Sequence, residues 1–348
     1  MKAVVAGATG VVGRRLAEHL ASTNQWEVVG LARRPGRASF PTIAVDLTSA
    51  ADCREKLGGL RDVTHILYAG RYPHTTQPEP IEINLAMMTD LVESIESGNR
   101  SLQHVHIVQG SKWYGSSTGA YKTPAREDDA RLDGDHTFYY AQQDWLDARG
   151  RSAGWSWSAS RPHAIVDRAT GIARSLSLLI AVYASILKEE GEPLYFPGTE
   201  GNYRALYQCT DALLLAKAIV WMSIEARCAN EAFNITNGDY IRWQNLWPVF
   251  ASYFGMKTGA VRTQRLGETM PPKKPVWERI AAKHRLEAPP YEKLVLWPYG
   301  DFVFHPDWDI MSDTLKARRL GFHEVRDTQQ MFLEHFDFYR AERIIPLD

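Results

Sequence analysis

Three glycines near the start of the chain have the spacing of a phosphate-binding turn. Gly7, Gly10 and Gly13 follow a short apolar run and precede an amphipathic segment, so they lie between a strand and a helix. In this spacing the first glycine permits a tight turn, the second lets backbone approach a pyrophosphate, and the third lets helix pack closely on strand. Open N–H groups at the helix start would hold the phosphates. The residues expected to contact a dinucleotide here are Gly7, Thr9, Gly10, Val11, Val12 and Gly13.

Two arginines follow the second apolar run, where the adenine ribose of a dinucleotide would lie. An acidic residue about 20 positions after the glycine turn would favour NAD. This chain instead has Arg33 and Arg34, with Arg37 close behind. Guanidinium groups form charge-assisted, often bidentate hydrogen bonds with a 2′-phosphate. The pair therefore favours NADP(H) over NAD, with a solvated arginine-rich turn as the alternative interpretation.

The ends of the next three apolar runs supply further candidate contacts. Asp46 could accept a hydrogen bond from the adenine amino group, or it could belong to the N-cap region of a helix that begins near Ser49. Small residues at the end of the fourth run would let the chain pass close to the cofactor. The candidates at these ends are Asp46, Leu47, Tyr68, Ala69, Gly70, Val108, Gln109 and Gly110.

These positions can meet only in a sheet whose strands end on one side. The first half of the chain fits such a sheet, because predicted strands alternate with predicted helices. Predicted strands are Lys2–Ala6, Trp26–Ala32, Thr42–Val45, Val63–Ala69, His104–Gln109 and Ser156–Ser160. Predicted helices between them are Val12–Ser22, Ala50–Leu60, Ile81–Ser97 and Tyr139–Ala148. This order predicts an α/β fold, a Rossmann-type doubly wound parallel sheet that binds ligands at the carboxyl ends of its strands.

Longer helical patterns follow Arg161-Pro162 and indicate a second, smaller, mostly helical region that binds substrate. They are Ala173–Glu190, Asp211–Ala226, Trp243–Phe254 and Thr328–Arg340, with short strands near Pro193–Phe196 and Glu231–Ile235. We predict a Rossmann domain for NADP over residues 1–162 and the substrate-binding region over 163–348. Segments at about 204–215 and 230–236 are expected to return to the Rossmann domain. Between Gly267 and Pro298 we expect irregular loops with one helix around Trp277–His284.

Composition excludes several classes of protein. The 348 residues carry a net charge of -1, which leaves no electrostatic footprint for nucleic acid or an acidic membrane. Cys53, Cys209 and Cys228 are few and scattered, which argues against a disulfide framework or a metal site and favours the cytoplasm. The longest apolar run, Leu176 to Leu187, is too short to span a bilayer and is better read as a core helix.

Two tyrosines begin the helix that short-chain dehydrogenases mark with Tyr-x-x-x-Lys. Here Tyr139 is followed four residues later by Gln143, and that helix contains no lysine. After the fifth strand, extended members of the class carry a hydroxyl that polarises the substrate carbonyl. This chain reads Gln109-Gly-Ser-Lys-Trp-Tyr-Gly115, with Gly110 at the hydroxyl position and Lys112 as a new cation.

The pattern Gly-x-Lys-x-Tyr at Gly110 to Tyr114, followed by Phe138-Tyr-Tyr, resembles the progesterone 5β-reductase and iridoid synthase family. That family is an atypical branch of the extended short-chain dehydrogenases/reductases. The likeness spans nearly the whole chain, through Ala32-Arg-Arg, Arg161-Pro162, Cys209-Thr-Asp-Ala212, Asn230 to Asp239, Pro275-Val-Trp-Glu278 and Ile344-Ile-Pro346. It implies the extended short-chain architecture, NADPH-dependent reduction of the C=C bond of an apolar enone or enal, and a possible homodimer.

Site residues also follow from the resemblance. It implies that Tyr139 and Lys112 form the catalytic pair. The implied cofactor contacts are Gly10, Val11, Val12, Arg33, Arg34, Asp46, Leu47, Gly70, Arg71, Lys112, Val108, Tyr139, Pro162, Ile165 and Ile172. His163 stands where the family often has glycine, and Tyr114 to Asp135 is shorter than usual, so the substrate itself stays open.

The chemistry of an enone agrees with this pair. Hydride delivered to the β-carbon moves charge onto the carbonyl oxygen, and one fixed donor there is commonly worth about 3–4 kcal/mol. Tyr139 would be that donor, and a nearby Lys112 ammonium would lower the tyrosine pKa from its reference near ~10. The α-carbon proton can come from solvent. A carbonyl reductase or a sugar epimerase on the same scaffold, and a non-catalytic NADP sensor, remain as alternatives.

Overall fold

The computed structural model describes residues 1–36, 38–72, 80–134, 137–169, 171–172 and 174–347. Its strands are β1 (Lys2–Ala6), β2 (Glu27–Ala32), β3 (Thr42–Ala44), β4 (His65–Tyr68), β5 (His104–Val108), β6 (Ser156–Pro162), β7 (Ile165–Val166), β8 (Leu194–Phe196), β9 (Thr210–Asp211), β10 (Glu231–Ile235) and β11 (Thr258–Val261). Its α-helices are α1 (Val11–Ser22), α2 (Ala50–Leu57), α3 (Ile81–Glu96), α4 (Phe138–Ala153), α5 (Leu176–Glu189), α6 (Glu200–Arg204), α7 (Ala212–Ile224), α8 (Trp243–Tyr253), α9 (Leu266–Thr269), α10 (Lys274–His284), α11 (Tyr291–Leu294), α12 (Trp297–Phe304), α13 (Leu315–Arg319) and α14 (Thr328–Ala341).

The main sheet has the strand order β10-β6-β5-β4-β1-β2-β3, and its neighbouring strands are parallel. The central strands are continuous apolar runs, as expected for a parallel sheet buried on both faces. The chain reverses direction across the sheet between β1 and β4, which creates a crevice at their carboxyl ends. The predicted Rossmann-type doubly wound sheet is confirmed. Strand β10, from the second half of the chain, forms its edge beside β6.

Helices cover both faces of this sheet. Helices α1 and α7 pack on one face with Leu16 and Leu215 buried between them and the strands. Helices α2, α3 and α4 pack on the other face, where Leu57, Leu91 and Leu146 are buried. Each of these helices therefore turns its apolar side to the sheet, and the carboxyl ends of the strands stay open for a ligand.

The second half of the chain has a separate apolar core around α5. All of Leu176 to Leu187 is buried, packed by aromatic residues that include Trp243 and Trp247 of α8 and Phe332 and Phe336 of α14. The prediction of a buried core helix is confirmed. No helix in the described part of the chain is long and apolar enough to cross a membrane.

The structure differs from the sequence prediction at some element bounds. Between Gly267 and Pro298, where one helix was expected, α10 lies between the short helices α9 and α11, and α12 begins at the end of the segment. Helices α11 and α12 form there because Tyr291 and Trp297 are apolar and pack in the core around α5. Helix α4 extends further than expected, to Ala153, and Gly154 with a φ of +82° ends it. The predicted start of α5 at Ala173 lies outside the described residues; the helix begins after Ser175, whose hydroxyl accepts from the N–H of Leu178.

Candidate active site

The glycine turn has the geometry of a dinucleotide-binding loop. Gly7 has a φ of +73°, and a β-carbon on it would lie 2.7 Å from the carbonyl oxygen of Ala69. A β-carbon on Gly13 would lie 2.3 Å from the carbonyl oxygen of Gly7, so the close contact of α1 with the turn requires glycine. Gly10 is the N-cap of α1, and no side chain caps the helix there. Among the described residues, no side chain accepts from the N–H groups of the first turn, which suits a phosphate site.

A cavity opens where the strands of the main sheet end, next to this turn. Its lining comes from both halves of the chain. The predicted site residues that line it are Val11, Val12, Ala69, Gly70, Arg71, Val108, Gln109, Gly110, Lys112, Tyr139, Pro162 and Ile165. The structure thus brings together predicted residues from the glycine turn, from the ends of β4, β5 and β6, and from α4.

Other lining residues were not among the predicted contacts. They are Ser111, Ser116, Phe138, His163, Ala164, Arg174, Tyr207, Tyr299, Phe302 and Val303. The last four come from the second half of the chain, more than a hundred residues after the glycine turn, and have no spacing pattern in common. Ser111 and His163 could have been found from one signal in the sequence, because each departs from the motif around it.

Several predicted residues lie outside the lining of the cavity. Arg33 and Arg34 are exposed after β2, and Arg37 lies outside the described residues. Tyr68 is only 2% exposed, packs in the apolar core between the sheet and α2 and α3, and is not among the residues that line the cavity. Leu47 is buried, and Ile172 is partly exposed beyond β7. Their cofactor contacts stay predictions.

Asp46 lies at the start of α2, and its contact with adenine stays a prediction. Ser49 is the N-cap, because its hydroxyl accepts from the N–H of Asp52. Asp46 precedes this cap and accepts hydrogen bonds from the N–H and hydroxyl of Thr48, at 3.0 and 2.8 Å. These bonds, together with the charge of Arg33, lower the pKa of the Asp46 carboxyl. The carboxylate is therefore ionised near neutral pH, with Arg33 in its surroundings.

The two adjacent tyrosines of α4 have different environments. The hydroxyl of Tyr140 donates to the carbonyl of Trp113 at 2.7 Å and accepts from the N–H of Leu132 at 3.2 Å. Tyr139 lines the cavity, and its hydroxyl lies 3.5 Å from the point that a β-carbon on Gly110 would occupy. The core tyrosine satisfied by backbone is therefore Tyr140.

Lys112 lies in the 3-10 turn Ser111–Tyr114 that follows β5. Its side chain lines the cavity and extends towards the second half of the chain, with Nζ 5.7 Å from the centroid of the Phe302 ring on α12. The relocated lysine thus reaches the same cavity as Tyr139 from a different element.

Gln143 occupies the position where a Tyr-x-x-x-Lys motif would place lysine. Its side-chain oxygen accepts from Gln109 Nε2 at 3.2 Å and from Arg161 at 3.3 Å. Arg161 is 1% exposed, also donates to Gln109 Oε1, and stacks on Trp113 with its guanidinium 3.7 Å from the ring centroid. The helix position is therefore used to tie α4 to the ends of β5 and β6.

Residues 44–346 match the family described as the PRISE-like Rossmann-fold domain. The chain belongs to this family. The resemblance inferred from the motifs is thereby confirmed. PRISE-like relatives include an (S)-8-oxocitronellyl enol synthase of Nepeta cataria, 32% identical over 99% of this chain and 91% of the relative. They also include a 3-oxo-Delta(4,5)-steroid 5-beta-reductase of Arabidopsis thaliana, 32% identical over 99% of this chain and 93% of the relative.

Solved structures share the fold of this PRISE-like chain. A short-chain dehydrogenase/reductase superfamily protein from Agrobacterium tumefaciens with bound NAD superposes with a TM-score of 0.71 at 15% identity, covering 99% of this chain and 98% of that one. A UDP-glucose 4-epimerase of Thermus thermophilus in complex with NAD gives 0.67 at 15% identity, covering 98% and 99%. The architecture is that of the extended short-chain dehydrogenases/reductases.

Proposed function

We propose that this protein is an NADPH-dependent reductase of the activated C=C bond of an enone or enal. The observation that carries the proposal is the hydroxyl of Tyr139 in the cavity, beside a Gly110 that has no side chain to compete for it. A donor in this place suits a carbonyl oxygen that gains charge during reduction of the conjugated bond. The names of the relatives, a steroid 5-beta-reductase and an enol synthase, agree with this chemistry.

A nicotinamide dinucleotide fits the residues present. Close backbone contacts require glycine at positions 7 and 13, and no side chain caps the N–H groups at the start of α1. Arg71, Lys112 and Arg174 line the cavity, and no carboxylate is found among its described lining residues, which favours an anionic ligand. Arg33 and Arg34 suit a 2′-phosphate and favour NADPH. When bound, NADPH supplies the hydride.

Several residues of the cavity have a defined task in this scheme. Tyr139 donates a hydrogen bond to the substrate carbonyl oxygen and stabilises the enolate as charge develops there. The ammonium of Lys112 adds favourable electrostatics at the same end of the cavity. Tyr207, Tyr299 and Phe302 enclose the apolar part of the substrate and exclude water. The α-carbon is protonated from solvent, so a proton relay through the missing helix lysine is unnecessary.

Product analysis tests the proposal. Purified protein is incubated with NADPH and a panel of small cyclic enones and enals, and products are identified by mass spectrometry. We expect the saturated ketone or aldehyde. An allylic alcohol would show a carbonyl reductase instead, which Tyr139 also suits. Tight NADPH binding without turnover of the panel would favour a sensor, and either result contradicts the proposal.

A further inference from the structure

A buried chain of three hydrogen-bonding side chains lines the cavity beside Gly110. Ser111 Oγ lies 2.9 Å from Ser116 Oγ and 2.6 Å from Nδ1 of His163. All three residues are buried, and all three line the cavity. None of them has a task in the reaction proposed above, so their polar atoms call for another explanation.

His163 is held firmly at the end of β6. Its backbone N–H donates to the hydroxyl of Thr210 at 3.2 Å, and its carbonyl accepts from that hydroxyl at 2.9 Å. Its ring packs edge-on against Tyr207, with the centroids 4.8 Å apart. Burial lowers the pKa of His163 to about 3, so the imidazole is neutral near pH 7. It therefore acts in the cavity as a hydrogen-bonding group without charge.

The second ring nitrogen of His163 lacks a partner. Nε2 is buried and makes no hydrogen bond to any described residue, although Nδ1 is bonded to Ser111. Buried polar atoms are nearly always satisfied, because leaving one without a partner costs free energy. Since His163 lines the cavity that holds the substrate, we expect the missing partner to arrive with the substrate.

The position of His163 relates this nitrogen to the reacting end of the substrate. The carbonyl oxygen of Pro162 and the hydroxyl of Tyr139 lie 3.3 and 3.5 Å from the point that a β-carbon on Gly110 would occupy. His163 follows Pro162, and Ser111 follows Gly110. The polar chain therefore begins next to Tyr139 but leads to different elements, β6 and the turn after β5. A substrate carbonyl on Tyr139 leaves another part of the same molecule to meet His163.

We propose that His163, oriented by Ser111, binds a hydroxyl group of the substrate and so selects enones or enals that carry a second, neutral oxygen. A hydroxyl suits Nε2 in either tautomer, because it both donates and accepts a hydrogen bond. The inference rests on the proposed reductase function and adds the class of substrate that the same cavity selects. His163 is a specificity-determining residue in this scheme, and Ser111 is a positioning residue.

Matched pairs of substrates test this role. Each pair consists of a linear 2-alkenal and the same alkenal with a terminal hydroxyl, over a series of chain lengths, assayed with NADPH. At the length that places the hydroxyl on Nε2, kcat/KM for the hydroxylated member should be about tenfold higher, mainly through KM. His163→Phe keeps an aromatic ring but no nitrogen, and should bring this ratio close to 1. Ser111→Ala frees the ring and should lower the ratio in part.

Tyr207→Phe is the matched control, because it removes a cavity hydroxyl and keeps the ring that packs on His163. It should keep the ratio. Loss of the ratio in Tyr207→Phe with retention in His163→Phe overturns the assignment, as does a wild-type protein that treats both members of every pair alike. Thermal unfolding checks that His163→Phe is folded; if it is not, an unchanged ratio in Ser111→Ala overturns the proposal.

Calorimetry separates this inference from the reductase proposal. The alkenal pairs are titrated into the NADPH-loaded Tyr139→Phe variant, with and without His163→Phe. If the wild-type protein reduces no alkenal, the proposed function fails, yet tighter binding of the hydroxylated member that depends on His163 still supports the subsite. If the alkenals are reduced and the hydroxyl adds nothing to binding, the subsite fails and the reductase stands.

Discussion

The hydroxyl of Tyr139 lies 3.5 Å from the point that a β-carbon on Gly110 would occupy. A serine at this position would therefore bring its own hydroxyl to Tyr139, in the arrangement that extended short-chain dehydrogenases use on a carbonyl. Gly110 brings no such group to Tyr139. Its φ of 175° is an extended conformation that any residue adopts, so backbone conformation does not require the glycine.

Gly110→Ser should therefore fold and change the reaction. The new side chain contacts the carbonyl of Pro162, and its hydroxyl competes with the substrate for Tyr139, so we expect enone reduction to fall by about tenfold. The fraction of allylic alcohol among the products should rise. Product ratios by mass spectrometry check this, and Gly110→Ala separates the effect of the hydroxyl from that of the added carbon. Equal product ratios in both variants would contradict it.

Tyr139→Phe and Tyr140→Phe should fail in opposite ways. Loss of a single donor to a developing oxyanion lowers kcat about 10²–10³-fold, so Tyr139→Phe should lose turnover and keep NADPH binding. Tyr140→Phe removes a buried hydroxyl bonded to Trp113 and Leu132, which should lower the free energy of unfolding by about 1–3 kcal/mol. Steady-state kinetics and urea unfolding of both variants test the assignment, and a larger loss of kcat in Tyr140→Phe would reverse it.

Gln143→Lys restores the spacing Tyr-x-x-x-Lys and should still harm the protein. The ammonium would face the buried guanidinium of Arg161 and remove the acceptor shared by Gln109 and Arg161. We expect a loss of about 2–4 kcal/mol in the free energy of unfolding, with no gain in activity. Gln143→Glu keeps the acceptor and adds a charge opposite to that of Arg161, so it should lose far less. Equal losses in the two variants would show that the network contributes little.

Replacing Arg33 and Arg34 together with serine should change the preference for cofactor. Charge-assisted hydrogen bonds to a phosphate are worth about 1.5–3 kcal/mol each, so the affinity for NADPH should fall at least about tenfold while that for NADH hardly changes. Fluorescence titration with both cofactors measures this. Arg279→Ser on α10 is the control for loss of surface charge. Similar losses for NADPH and NADH would contradict a 2′-phosphate site.

A row of buried histidines should make the fold sensitive to acid. His104 lies 2.8 Å from the hydroxyls of Ser156 and Ser158, and His106 lies 2.8 and 3.0 Å from those of Ser158 and Ser160. Burial lowers the pKa of His104 to about 3 and that of His106 well below its ordinary value. The folded state therefore holds both rings neutral, whereas unfolded histidine takes up a proton near its ordinary pKa.

The stability from these histidines is full above about pH 6.5 and is lost as the pH falls towards the folded values. Each can remove up to about 1.4 kcal/mol of the free energy of unfolding per pH unit over that range. Urea unfolding between pH 7.5 and 5 should show the decline, and His104→Gln should make it shallower. A free energy that stays constant over this range would contradict the neutral, buried state.

The sequence alone determined the parallel sheet, its doubly wound order and the glycine turn. These depend on local features: apolar strands alternating with helices, and three glycines at a fixed spacing between the first strand and the first helix. The family was also legible, because its motifs are short and contiguous. The predicted helix ends were less accurate, and the short helices around Tyr291 and Trp297 were not predicted, because burial against α5 decides them.

Only the tertiary structure decided which side chains face the cavity. Tyr139 and Tyr140 are adjacent and identical in type, and the packing of α4 against Trp113 places the hydroxyl of Tyr140 on the backbone and Tyr139 in the lining of the cavity. The role of Gln143 on α4 likewise depends on Arg161 of β6, which donates a hydrogen bond to it. Tyr207 and His163 meet across distant segments. Contacts of this kind depend on packing between elements far apart in the chain, and no local spacing encodes them.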